Sequence, residues 1–149
     1  EEVDLTKKGT NLEAENLTLM VLSDNLDADT NVGLVHEAMY VKEGASFSMN
    51  KSIFSGFNPA VVLDDKIGIS NENLSKMGFS KMYFNNCQGN IFTENIPNNE
   101  DLENWYGNNA FANVYSRGLN SVTFIDVKKL DQPDFRLRIN NIIAISFTE

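Results

Sequence analysis

The sequence contains one cysteine and one histidine in 149 residues, and this scarcity limits the chemistry open to the chain. A single cysteine cannot form an internal disulfide, and one Cys with one His excludes an ordinary zinc site. A Cys87–His36 catalytic pair would need a basic neighbour or a helix N-terminus to lower the pKa of the thiol. The sequence around Cys87, NNCQGN, supplies no basic residue. We therefore predict no catalytic residue, and a free, modestly exposed thiol at Cys87.

Basic residues are also few, with 12 Lys and Arg against 21 Asp and Glu and a formal net charge of −9. Nucleic-acid binding needs a concentrated basic face, so nucleic acid is excluded as a partner, and binding to an anionic membrane surface is disfavoured. No apolar run approaches the roughly 20 residues that span a bilayer. The chain begins at Glu1 without Met or an apolar leader, which is typical of a processed or trimmed chain.

The sequence is rich in asparagine, with 21 residues spread over the chain, and 42% of its residues are apolar. Frequent Asn, Ser and Gly indicate many turns between short elements, and the length suits one domain. No internal repeat is apparent. We predict a mainly β fold, a single antiparallel β-sandwich or barrel-like domain over 17–149 with one or two short helices. The alternative is an α+β fold, and residues 1–16 are expected to form a polar tether.

Strand-like segments account for most of the pattern. Four of them are Leu17–Leu22, Ala38–Lys42, Ala60–Leu63 and Asn120–Val127. Lys81–Phe84 and Asn90–Thr93 flank a turn-rich link that suggests a hairpin. Apolar residues alternate with polar ones from Phe135 to Phe147, which predicts one long or bent strand and leaves a hairpin at Asn140-Asn141 as the alternative. Helices are expected at Asn71–Met77 and from Asn99 to Tyr106, each ended by a glycine.

Asp27, Asp29 and Asn31 stand at alternate positions and form a candidate calcium site. They match the first, third and fifth ligand positions of a helix-loop-helix calcium loop. However, Gly33 and Glu37 are each displaced by one position from the places that such a loop requires, and the flanks resemble strands. A solvated loop in which Asp and Asn side chains bond their own backbone is the favoured interpretation. Calcium is the one cofactor considered.

Trp105 and Tyr106 lie beside Glu103 and form a candidate ligand-binding group. An aromatic platform next to carboxylates is typical of a sugar-binding groove, and a suitably spaced carboxylate pair could hydrolyse a glycosidic bond. An acidic first helical turn beside a half-buried Trp is the structural alternative. Arg136 and Arg138 share one strand face and could bind an anion, although pairing with carboxylates across strands is the commoner arrangement.

The segment from Leu17 to about Gly68 resembles a group of uncharacterised small lipoprotein domains from gut Bacteroidetes. The resemblance is carried by LTLMVLSDN, by Tyr40-Val41 with Phe47, and by AVVLDDKIG, and Asn31-Val32-Gly33 stands where those domains place an Asn-Gly turn. It implies an exported protein with a lipid anchor upstream of Glu1. It implies no activity.

These observations lead to three hypotheses about function. The first is an exported, membrane-tethered, non-enzymatic β-domain with a binding or accessory role in the cell envelope. Its partner would be a glycan or another envelope protein. The second is a carbohydrate-binding module that uses Trp105 and Tyr106. The third is a small glycoside-type hydrolase.

Overall fold

The structure, a computed structural model, describes residues 9–21, 37–57, 59–87, 92–94, 100–129 and 131–138. Within these ranges, most strands belong to three parallel sheets. The first sheet contains β1 (Asn11–Glu15), β4 (Ser46–Asn50) and β7 (Met77–Ser80). The second contains β2 (Thr18–Met20), β5 (Ile53–Ser55), β8 (Tyr83–Asn85) and β10 (Val114–Ser116). The third contains β3 (Met39–Val41), β6 (Val61–Leu63) and β9 (Phe92–Glu94).

The order of the strands shows that the chain winds around a central interior in successive coils. Each of the first three coils adds one strand to each sheet, and β10 belongs to a fourth. This is the topology of a β-solenoid, in which each coil packs on its neighbours. The prediction of an antiparallel sandwich or barrel is wrong: the fold is α/β-like, with mostly parallel sheets, few helices and one small antiparallel pair. Period-two alternation marks a strand in either kind of sheet, so it cannot distinguish them.

The corner between the first and second sheets repeats from coil to coil. Four residues with positive φ occupy it, at intervals of roughly 30 residues: Asn16 (59°), Lys51 (46°), Lys81 (52°) and Ala112 (51°). The backbone N–H of each of the first three donates to a carbonyl of the following coil, namely Asn50, Ser80 and Phe111, at 3.2, 3.2 and 2.7 Å. The chain therefore has a structural repeat whose corner is not marked by glycine.

The main hydrophobic core lies between the three sheets. Phe54 is fully buried there, and its ring contacts those of Phe57, Phe79 and Phe84 edge to face at centroid distances of 6.3, 6.4 and 5.8 Å. Such aromatic contacts stabilise a core beyond the area that they bury. The inward positions of successive strands are in register, so each coil covers the apolar side chains of the one before it.

A second, smaller core covers the outer face of the second sheet. It joins Ile53 and Tyr83 to Phe124 and Val127. The covering elements are α3 (Asn120–Thr123), β11 (Phe124–Asp126) and β12 (Asp134–Leu137), and the last two form the antiparallel pair. The strand predicted over Asn120–Val127 therefore begins with a helical turn. Asn120 explains the change, because its buried side chain accepts a hydrogen bond from Ser55 of the sheet at 2.7 Å.

Several local predictions can be compared with these elements. The helix predicted from Asn99 to Tyr106 is confirmed as α2 (Glu100–Tyr106). The helix predicted over Asn71–Met77 is confirmed only as α1 (Asn71–Leu74), because Met77 and its expected stop, Gly78, belong to β7. The hairpin around Cys87 is wrong, because β8 and β9 belong to different sheets. Asn11–Glu15, inside the segment predicted as a tether, forms β1. Of the long C-terminal strand, Asp134–Leu137 is strand, and residues 139–149 lie outside the described residues.

Candidate ligand-binding surface

Helix α2 closes the end of the interior beyond the third coil. Its apolar side chains Leu102 and Tyr106 are buried, whereas Glu100, Asp101 and Glu103 face solvent. The helix ends where the N–H of Gly107 donates to the carbonyl of Glu103 at 2.8 Å. An end cap with an apolar inner side and a polar outer side is what a solenoid requires for solubility.

Tyr106, one of the predicted ligand-binding residues, belongs to the core. Its hydroxyl donates to the carbonyl of Met77 at 2.9 Å, and its ring lies 5.4 Å from that of Phe79. Burial, with a smaller effect of Tyr115, raises the pKa of the Tyr106 hydroxyl. Tyr106 therefore positions α2 against the third coil, and its ring is not presented to a ligand.

Trp105 is half-buried at the edge of the same cap. It packs against the main core, and its ring centroid lies 6.0 Å from that of Phe111. The side-chain amide of Asn113 donates to the carbonyls of Phe79 and Tyr106, both at 3.0 Å, which ties the end of α2 to the third coil. Trp105 thus has a largely structural environment and a partly open ring.

Tyr115 of β10 is a partly exposed aromatic residue that the sequence analysis did not consider. It is in register with Phe84, and the two rings are nearly parallel, with an interplanar angle of 11° and centroids 5.2 Å apart. Leu19, Phe54, Phe84 and Tyr115 occupy the same inward position in successive strands of the second sheet and form an inward column that Tyr115 ends. Tyr115 remains 37% exposed because no described strand follows β10 in this sheet. The signal that could have identified it is its recurrence about thirty residues after Phe84.

Glu103 and Tyr115 are distant in sequence, but they are near enough for the charge of Glu103 to act on the Tyr115 hydroxyl. Burial raises the pKa of the Tyr115 hydroxyl, and the negative charge of Glu103 raises it further. The Tyr115 hydroxyl therefore keeps its proton to a higher pH than an ordinary tyrosine does. Glu103 therefore faces solvent within electrostatic reach of Tyr115, whereas Tyr106 is buried.

Cys87 is buried, which corrects the expectation of a modestly exposed thiol. Its sulfur lies 3.5 Å from the carbonyl oxygen of Asn85 and 3.8 Å from that of Phe54, within hydrogen-bonding reach for a thiol. Desolvation raises the pKa of the Cys87 thiol to about 11. The thiol is therefore protonated and shielded at neutral pH, the opposite of an activated nucleophile.

The remaining candidate residues do not form a site within the described part of the chain. Asp27, Asp29, Asn31 and His36 lie outside the described residues. Among the residues that are described, no three His, Cys, Asp or Glu side chains are grouped so that they could hold a metal ion.

Arg136 of β12 and Arg138, which follows β12, both bind groups in the elements that cover the second core. Arg136 pairs with Asp134, with Nη2 2.6 Å from Oδ2, and this pairing holds the pKa of the Asp134 carboxyl at about 2. The guanidinium of Arg138 donates to backbone carbonyls, at 2.8 Å to Phe124 and 2.9 Å to Ile125. These contacts leave the pair poorly arranged as an anion clamp.

No protein-family model, curated protein or solved structure matches this chain. In the described ranges, the helices are too short and too polar for any of them to cross a bilayer.

Proposed function

We propose that the chain is a non-enzymatic binding domain of an exported, membrane-tethered protein, and that its ligand is a carbohydrate. The observation that carries the ligand class is the partly exposed Tyr115, whose ring stacks on Phe84 and whose hydroxyl lies within electrostatic reach of Glu103. The location outside the cytoplasm is supported by the resemblance of Leu17–Gly68 to envelope lipoprotein domains.

The surroundings of Tyr115 suit a neutral sugar ring. One face of the phenol is covered by Phe84, which fixes the orientation of the ring, and the residue is partly open to solvent. A flat ring of this kind accepts the apolar face of a pyranose, while the adjacent carboxylate accepts hydrogen bonds from sugar hydroxyls. The half-buried Trp105, on the same helix as Glu103, provides further apolar surface at this end of the solenoid.

The described carboxylates near Tyr115 support binding rather than hydrolysis. Glu100, Asp101 and Glu103 all belong to one seven-residue helix. A glycosidase places its two carboxyl groups on either side of the scissile bond, roughly 5 to 10 Å apart. A second carboxylate on another element facing Glu103 would favour hydrolysis, and no described contact places one there. The hydrolase hypothesis stays a prediction.

Carbohydrate binding can be tested with a glycan array, followed by titration calorimetry with the tightest ligand found. We expect Tyr115→Ala to abolish binding and Tyr115→Phe to retain most of it. Glu103→Gln should weaken binding roughly tenfold, because a hydrogen bond to a charged group, worth about 1.5–3 kcal/mol, is replaced by a neutral one worth about 0.5–1.5 kcal/mol. Asp101→Asn, which removes a charge from the same helix, is the matched control and should bind normally.

Circular dichroism establishes whether each variant is folded before its affinity is interpreted. A wild-type protein that binds no glycan on the array would contradict the proposal. So would a glycan that binds Tyr115→Ala and the wild type equally well, because the site would then lie elsewhere.

A further inference from the structure

The interior of the solenoid is covered at one end and open at the other within the described residues. Helix α2 closes the interior after the third coil. At the first coil, Leu12 is 44% exposed, whereas Phe47 and Met77, its inward-facing partners in register, are 3% and 2% exposed. Among the described residues, nothing covers this row of side chains beyond Leu12. Other inward apolar side chains of this coil are also only partly buried, namely Ala14, Leu17, Leu19, Val21 and Met39.

The backbone at this end presents hydrogen-bonding groups as well as apolar side chains. Strand β1 is the outer strand of its sheet among the described residues. The carbonyl of Thr10 accepts from Ser46 at 2.8 Å, and the N–H of Asn16 donates to Asn50 at 3.2 Å. Alternate residues of a parallel strand bond to the same neighbour, so the even-numbered residues of β1 face β4. The N–H and C=O groups of Asn11, Glu13 and Glu15 therefore point to the open edge.

The charges on β1 indicate what kind of strand would pair there. Glu13 and Glu15 lie on the solvent side of the strand, while Leu12 and Ala14 point inward. A lysine of the next coil pairs with one of these carboxylates: the ammonium of Lys51 lies 3.0 Å from Glu15 Oε1. A second copy paired antiparallel through Glu13 would place like charges opposite each other, which is destabilising. A basic strand meets no such repulsion, and the net charge of −9 attracts it.

We propose that the N-terminal end of the solenoid binds an extended partner segment in which apolar residues alternate with Lys or Arg, added as a strand to the free edge of β1. Its apolar side chains cover Leu12 and Ala14, and its basic side chains lie near Glu13. Strand addition of this type gains affinity from main-chain hydrogen bonds and specificity from the alternating side chains. The proposal concerns the end opposite Tyr115 and is independent of carbohydrate binding.

The test uses a fluorescein-labelled peptide of the sequence KVKVKVK and measures its binding to the whole chain by fluorescence anisotropy at low salt. We expect saturable binding that EVEVEVE and the blockwise peptide KKKKVVV do not show. Glu13→Pro removes an outward N–H without removing a bond to β4, and it should abolish binding. Glu13→Lys should weaken binding at least about fivefold, because the pair is lost and a repulsion is added. Asp101→Lys, a matched charge change on α2, should leave binding unchanged.

Hydrogen exchange of the free protein provides a measurement that does not depend on the peptide. The amides of Glu13 and Glu15 should exchange fast in the free protein and become protected when KVKVKVK binds. Protection of these amides without the peptide would mean that the chain itself or a second copy covers the edge, and it would overturn the proposal. Equal binding of KVKVKVK and KKKKVVV would do the same, because it would show attraction by charge alone. Unchanged binding by a folded Glu13→Pro would also overturn it.

Discussion

The corner residues with positive φ allow us to predict whether a glycine substitution raises or lowers the free energy of unfolding. Ala112 occupies the last of these corners, with φ 51° and ψ 35°, and its side chain is exposed. An L-residue in this conformation is destabilised by about 1–2 kcal/mol, whereas glycine adopts it freely. Glycine also loses more conformational entropy on folding, by about 0.5–1 kcal/mol relative to alanine. Because the strain that glycine relieves exceeds its entropic cost, Ala112→Gly should raise the free energy of unfolding by about 0.5–1 kcal/mol.

Ala110 supplies a control two residues away. It is exposed and lies in the 3₁₀ turn Asn109–Phe111, without a positive φ. Ala110→Gly retains the entropic penalty and relieves no strain, so it should lower the free energy of unfolding by about 0.5–1 kcal/mol. The same chemical change should thus have opposite signs at two neighbouring exposed positions. At these magnitudes the midpoint of thermal unfolding should shift by only about 2 °C in each direction.

Urea unfolding followed by circular dichroism measures both variants under one condition. Equal destabilisation by Ala110→Gly and Ala112→Gly would refute the reasoning, because it would show that Ala112 is not held in the left-handed region. Lys81→Gly should behave like Ala112→Gly, since its φ is 52°. Lys51→Gly should gain less, because it also removes the ion pair between Lys51 and Glu15.

Two further predictions concern the buried polar groups. Because the pKa of Cys87 is raised in the folded protein, the unfolded chain loses the thiol proton first as the pH rises, and this contribution to stability is intact below about pH 9 and lost by about pH 11. Cys87→Ala should therefore reduce the fall in the free energy of unfolding, measured in urea, over this pH range. An unchanged pH profile would contradict the assignment. Asn120→Ala should lower the free energy of unfolding by about 2–4 kcal/mol, because the side-chain oxygen of Asn120 accepts from Ser55 at 2.7 Å and from Asn85 at 3.0 Å, and both donors are buried. Val122→Ala on the same helix, at a residue that is 60% exposed, should change it by less than about 0.5 kcal/mol, and an equal effect of the two substitutions would show that the network contributes little.

Local features of the fold could be predicted from the sequence because they depend on neighbouring residues. The strands β3 and β6 and the helix α2 fall within the predicted segments. Each is defined by a short apolar pattern or by a helix stop such as Gly107, and these signals act over fewer than ten residues. The sheet topology could not be predicted in the same way. β4 pairs with β1 and β7, which lie about thirty residues away in each direction, and the alternation within β4 carries no information about those partners.

The repeat was missed because few of its positions require a particular residue. The corner is occupied in turn by Asn16, Lys51, Lys81 and Ala112, although glycine would mark it most clearly. The inward column of the second sheet accepts Leu19, Phe54, Phe84 and Tyr115, because burial constrains size and polarity and not identity. Such a degenerate repeat is visible only after the strands are aligned.

The structure separates the candidate residues that the sequence analysis grouped together, and the separation has a physical cause. Glu103 and Tyr106 were both named as ligand-binding candidates with Trp105, but Glu103 faces solvent and Tyr106 is buried. Adjacent residues of a helix point about 100° apart, so one of an adjacent pair commonly faces the core. Tyr106 faces the core, and the partly exposed aromatic residue within electrostatic reach of Glu103 is Tyr115. Tyr115 is partly open because the inward column of aligned side chains ends with it. At the first coil, the residue left exposed in the same way is Leu12, which is aliphatic and has no flat ring. This difference favours a polypeptide ligand at the first coil and a sugar at the other end.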